Sequence, residues 1–169
     1  MTIATRVEQV LRDHGAHYKL VPHKPTGSTH ESAEAARVRD DHIAKAVVVR
    51  DARGPAMAVI PGDTWLDVEA LTRETGRPFE LDEESDLAAL FPDCAPGAVP
   101  PLGQAYQMET YLDDALGSLS SVYFESGDHA HLVRVNAETF ADLMRGVRHG
   151  HFGRHASPTA PPSPRGAIN

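Results

Sequence analysis

Cysteine is almost missing from this chain: one residue, Cys94, in 169. A single thiol forms no internal disulfide, excludes a cysteine zinc cluster and suits a reducing compartment. A lone cysteine of this kind is as a rule inert rather than a nucleophile. Long apolar runs are missing too, and none approaches the roughly 18 residues of a membrane span. The opening MTIATRVEQVLRDHG mixes charges with apolar residues and has no signal-peptide core, so a cytoplasmic protein is expected. Positive charge is in deficit, with 16 Lys and Arg against 24 Asp and Glu and a net charge of −8. That balance argues against a broad basic face wrapped by DNA or another long nucleic-acid backbone. It leaves room for a small basic pocket that holds the end of a strand.

What remains is the composition of an ordinary globular chain, 41% apolar and 24% charged, long enough for one domain with a real core. The domain is expected over residues 1–150, with a disordered Pro/Ser-rich tail over 151–169. The ten histidines are scattered, and only HGHFGRH, with His149, His151 and His155, is dense. A metal site there is one reading, and a floppy polar stretch leading into the tail is the default.

Local signals divide the chain into short elements. Thr5-x-x-Glu8 and Ser28-x-x-Glu31 are capping-box patterns, the second opening an alanine-rich helix. HYKLVPH (17–23) alternates like a strand. Two strands, near 43–50 and 55–62, flank Asp51-Ala52-Arg53-Gly54 and predict a hairpin. Asp67 to Gly76 reads as a helix, and Asp82 caps another. QMETYL reads as a strand, and SSVYFESG with HAHLVRVN as a second hairpin turning at Gly127-Asp128. A last helix starts at an Asn136 cap. Hairpins with helices interposed predict an α+β fold: a mixed or antiparallel sheet, barrel-like, flanked by helices.

Two stretches could carry chemistry. In HIAKAVVVRD Lys45 shares a strand face with Val47 and Val49. Lysine is depleted from strand interiors and rarely buried unpaired. Either Lys45 sits at the strand mouth with its ammonium in water, or it points into a cleft to meet an anion or act with an altered pKa. In CAPGAVPPLG (94–103), Pro100 and Pro101 stiffen the backbone and Gly97 lets a ligand approach the main chain. Such a loop either joins helix to strand rigidly or aims N–H groups at a developing oxyanion.

The strand lysine, the Gly-x-x-x-Pro loop and the order VPH, THESAEAARV, HIAKAVVVRD, AVIPGDTWLDVEAL, GAVPPLG, YLDDAL and SVYFESGDHAHLVRV resemble the YbaK-like aminoacyl-tRNA deacylase family. Its relatives include the inserted editing domain of bacterial prolyl-tRNA synthetases. The resemblance runs from about Thr5 to Gly146. It implies hydrolysis of the ester joining a wrong amino acid to tRNA, without metal or cofactor. It implies a mischarged aminoacyl-tRNA 3′ end as partner, with a synthetase or elongation factor nearby, and no DNA or membrane. It makes Lys45 the essential strand lysine and Gly97 with Pro101 the loop.

Lys45 is expected to anchor the tRNA 3′ end, or to act as a base if burial lowers its pKa. Amides near Gly97 orient the carbonyl or the attacking water, with Pro100 and Pro101 bordering the substrate. His30 is either a pocket residue or a solvated helix-start histidine. Leu102 departs from the aromatic that many relatives carry after the prolines. The rival readings are a non-catalytic tRNA-end or protein binding module, another small-ester or amide hydrolase, and a histidine metalloprotein. The sequence does not fix the amino acid or the oligomeric state.

Overall fold

The computed structural model describes residues 3–82 and 84–155, the side chains of 84–86 excepted. Most of the expected tail, 156–169, lies outside the described residues.

The central hairpin is β2 (Ile43–Asp51) with β3 (Gly54–Pro61), paired from Ala44↔Pro61 to Asp51↔Gly54. Alternation gives this hairpin two apolar faces. Ala44, Ala46, Val48, Met57 and Val59 face one core. Val47, Val49, Ala56, Ala58 and Ile60 face a second. A sheet buried on both sides needs a layer on each. On the first side lie α1 (Thr5–Asp13), α4 (Glu84–Leu90) and α5 (Ala137–Leu143), through Val7 and Leu11, Leu87, and Phe140 and Leu143. On the second lies α3 (Val68–Thr75), through Ala70 and Leu71. A small third cluster joins Ala33 of α2 (Thr29–Ala36) to Ile43 and Leu132.

Eight strands form one mixed sheet. The path runs β1 (Lys19–Pro22), β8 (His131–Asn136), β7 (Ser121–Glu125), β2, β3, β6 (Glu109–Asp113), β9 (Arg148–Gly150), and β5 (Glu80–Leu81) pairs with β2 off that path. Hairpins are antiparallel, whereas β2–β7, β3–β6 and β6–β9 are parallel. The end strands β1 and β9 do not pair with each other, so the barrel-like form expected is an open one. A separate two-stranded ladder joins β4 (Trp65–Leu66) to β10 (Gly153–Arg154).

Three of the helix starts read from sequence have side-chain caps. Ser28 Oγ accepts from Glu31 N, Asp67 Oδ1 from Ala70 N and Asn136 Oδ1 from Thr139 N. The first helix differs. Its cap is Ala4, whose own N–H is tied to the Ser126 carbonyl, and Asp93 Oδ2 accepts from Arg6 N in the first turn. A residue from a distant loop therefore replaces the local capping box. The helix after Asp82 begins at Glu84, and the Asp82 carboxylate pairs with Arg50 of β2 at 3.1 Å.

The histidine-rich stretch is not a floppy segment: residues 148–155 are folded onto the domain. Phe152 is buried in the second core, Asp113 Oδ2 accepts from Phe152 N and Gly153 N, and Glu74 accepts from His151 N. His149 and His151 both meet Asp114, at 2.9 and 3.4 Å, while His155 meets Asp63 at 3.5 Å.

Candidate active site

Strands β2 and β7 run parallel but pair at only two positions, Ile43↔Tyr123 and Ala44↔Phe124. Beyond them β7 ends at Glu125 and turns into β8, while β2 continues to Asp51. A narrow cleft of about 320 Å³, counting its open mouth, lies where they part. The start of α2 contributes Ser28, Thr29 and Ser32 to it. The strand contributes Lys45 beside Ile43 and Ala44. The hairpin contributes Glu125, His129 and Leu132, and the proline loop contributes Val99.

Lys45 occupies the gap between the small cluster and the second core. It is 7% exposed, its ammonium donates to the Gly62 carbonyl at 3.4 Å, and Nζ stands 5.3 Å from the centre of the Trp65 ring. Burial lowers its pKa from 10.5 to about 8, against the opposing pull of Asp63 and Asp40. The lysine is thus neither bathed in water nor locked into an ion pair. Its carbonyl partner depends on Gly62. A Cβ there would stand 2.6 Å from the Asp40 carbonyl oxygen and 3.0 Å from Thr29 Cγ2, so only glycine fits without displacement.

The loop approaches from the other core. Gly97 has φ +79°, a left-handed conformation that glycine adopts freely. It packs against His129, whose ring lies 3.6 Å from where a Cβ would be. His129 Nε2–H donates to the Pro96 carbonyl, and Ala95 N donates to the Gly127 carbonyl. These bonds clip the loop to the β7–β8 turn. Val99 reaches the cleft directly, whereas Gly97 meets it through His129. Pro100 and Pro101 are buried and do not line the cleft. Leu102 is a core residue, so the missing aromatic leaves no mark on the cleft wall.

His30 is the sequence candidate that points elsewhere. Its side chain is two-thirds exposed and binds Asp40 at 2.6 Å, with Glu34 at 3.6 Å. The same helix reaches the cleft with Thr29 and Ser32, one residue before and two after. Cys94 is also apart from Lys45. Burial pushes its thiol up to about 12, and it lies 3.2 Å from the Tyr106 hydroxyl. A thiol held protonated in this way is no nucleophile.

Two cleft residues, Glu125 and His129, were not singled out from sequence. The available signal was a carboxylate and a histidine at either end of the ESGDH turn. Glu125 is 9% exposed, and burial raises its pKa.

Comparison with known proteins bears directly on this arrangement. Residues 23–143, which hold most of the cleft-lining elements, match the family described as "Aminoacyl-tRNA editing domain". The chain belongs to the aminoacyl-tRNA editing domain family.

Among its relatives is "Putative Cys-tRNA(Pro)/Cys-tRNA(Cys) deacylase EbsC" of Enterococcus faecalis (strain ATCC 700802 / V583), 28% identical over 121 residues, 70% of this chain and 73% of that protein. A solved structure described as "a putative trans-editing enzyme for prolyl tRNA synthetase" superposes with TM-score 0.77 at 26% identity, covering 89% of this chain and 96% of that one. "Hypothetical protein APE2540" shares the fold, with TM-score 0.78 at 24% identity over 88% of this chain and 99% of that one. Within this editing domain, no group of three or more His, Cys, Asp or Glu among the described residues is placed to hold a metal ion. No helix among the described residues is long and apolar enough to cross a membrane.

Proposed function

We propose that this editing domain is a trans-acting deacylase that hydrolyses the ester bond of mischarged aminoacyl-tRNA, with Lys45 as its central catalytic-site residue. The observation that carries the reading is a buried lysine with no carboxylate ion-pair partner among the described residues, lining one narrow cleft together with Val99 of the proline loop. Buried lysine is rare unless it is paired or used.

An ester needs little activation, so positioning and electrostatics can supply most of the rate. Lys45 anchors the 3′-terminal ribose or phosphate oxygens of the tRNA. The loop from Gly97 to Val99 orients the carbonyl or the attacking water. The amides of Gly97 and Val99 donate to no other group among the described residues, which leaves them available for that task. The ribose hydroxyl of the substrate itself handles the proton. A lysine near pKa 8 could also take a proton near neutral pH, and pH–rate profiles separate that role from anchoring. The small volume of the cleft favours small amino acids, cysteine among them, as the name of the Enterococcus relative suggests for that protein. A second, narrower pocket of this kind supplies discrimination that a synthetase pocket cannot.

The test is a deacylation panel of tRNAs charged with alanine, serine, threonine, cysteine and proline. Wild type should clear at least one mischarged species, and Lys45→Ala should lose about 10²–10³ in rate while staying folded. Wild-type rates in a folded Lys45→Ala protein would overturn the assignment. Binding of charged tRNA without any hydrolysis would favour a non-catalytic module.

A further inference from the structure

The cleft holds a second buried charged group, which the reaction described above does not use. Glu125 ends β7, and one of its oxygens, Oε1, accepts from Gly127 N at 3.1 Å and His129 N at 3.2 Å. Among the described residues Oε2 has no hydrogen bond or ion pair. Glu125 and Lys45 line the same space without pairing with each other. His129, the nearest cation source on the turn, directs its Nε2–H at the Pro96 carbonyl instead. The carboxylate thus has half of its acceptor capacity open, and Oε2 is not among the enclosed polar atoms, so it is reached from the cleft that Glu125 lines. An accessible carboxylate oxygen that the fold itself does not use can accept a charged donor from a ligand.

An aminoacyl ester has a shape that fits two separated, opposite charges. Its ester and ribose oxygens suit a lysine, and its α-ammonium, one bond from the carbonyl carbon's neighbour, suits a carboxylate. Resting on the deacylase reading, we propose that Glu125 Oε2 receives the α-ammonium of the aminoacyl group. The cleft then accepts only esters with a free amino group and spares N-acylated ones such as formylaminoacyl- and peptidyl-tRNA. An N-acyl amide carries no charge for Glu125 and adds bulk where the cleft is narrow.

Glu125 also braces the turn through Oε1, so the test must separate bracing from recognition. Glu125→Gln keeps a carbonyl oxygen for both N–H groups and loses only the charge. The probes are 3′-alanylamino-3′-deoxyadenosine, whose amide link resists hydrolysis, and its N-acetyl derivative, with binding measured by calorimetry. The matching pair of alanyl- and N-acetylalanyl-tRNA is used for deacylation. Wild type should prefer the free amine in both assays, and Glu125→Gln should shrink that preference about ten- to a hundredfold, mostly by weakening the free-amine probe. Its thermal midpoint should stay at the wild-type value. Equal wild-type binding of the two probes, no binding of the free-amine probe, or an unchanged preference in Glu125→Gln would each overturn the inference. A wild-type preference in binding that Glu125→Gln abolishes, with no tRNA deacylated by wild type, would uphold it and overturn the deacylase reading alone.

Discussion

Lys45 and Gly62 meet across the end of the central hairpin, the ammonium donating to the Gly62 carbonyl at 3.4 Å. The lysine is thereby held by a neutral acceptor. Its charge is steadied without being cancelled, which is what the proposed role of holding a substrate oxygen requires.

The same burial should make Lys45 costly to the fold. Its pKa is 10.5 in ordinary surroundings and about 8 here. Between those values the unfolded chain binds the proton and the folded chain does not, so stability rises with pH through that window and is least below pH 8. The shift corresponds to roughly 3 kcal/mol. Lys45→Met should therefore be more stable at pH 7 by about 1–3 kcal/mol, and catalytically dead. Urea unfolding at pH 7 and pH 10 checks this: the gain should shrink at the higher pH. A less stable Lys45→Met would show that the ammonium supports the fold.

Gly62→Ala should damage both fold and site. The new methyl would collide with the Asp40 carbonyl and Thr29, neither of which is the free end of a flexible side chain. A cost of about 1–3 kcal/mol is expected. Because Gly62 holds Lys45 and Thr29 lines the cleft, deacylation should fall even at temperatures where the variant is fully folded. A Tm shift together with an undiminished rate would separate the glycine from the site.

Acid should loosen the opposite end of the hairpin. Arg77 forks onto Asp51 with contacts of 2.6 and 2.7 Å, and also meets Glu109 and Tyr111. That guanidinium bonding holds the Asp51 carboxyl down at about 2. A depressed carboxyl contributes stability that is fully present above its unfolded pKa, near 3.9, and is lost as pH falls towards 2. Asp51→Asn should lower stability at pH 6 and flatten the acid limb between pH 4 and 2. Denaturant midpoints collected across that range for both proteins provide the comparison.

Phe152 ties the histidine-rich stretch to the second core and is 1% exposed. Phe152→Ala should cost about 3–5 kcal/mol, and truncation after residue 150 should do comparable harm. A truncated chain with the parental Tm would return residues 151–155 to the status of a tail.

Much of the framework was legible because its causes are local. Period-two alternation from Ile43 to Pro61 marks two buried faces, Ser28, Asp67 and Asn136 announce helices through their own side chains, and Gly127-Asp128 marks a turn. The strands that went unseen, β4, β5, β9 and β10, are two or three residues long. So short a segment has no periodicity to read, and its partner, not its sequence, makes it a strand. The start of α1 was misplaced for a related reason: its first-turn donor at Arg6 is satisfied by Asp93.

Lys45 was conspicuous in the sequence by itself, as a charge in an apolar strand, and the stiffness of the loop from Gly97 to Pro101 followed from its glycine and prolines. Tertiary structure alone decided what stands beside that lysine. Parallel pairing of β2 with β7 brings Glu125 and His129 from late in the chain to the cleft, the bonds to Gly127 and His129 draw the loop in, and His30 is turned away towards Asp40. Side-chain chemistry and backbone preference act within a few residues and can be read in one dimension. Which strands share an edge is set by burying both faces of the sheet at once, a condition on the whole chain.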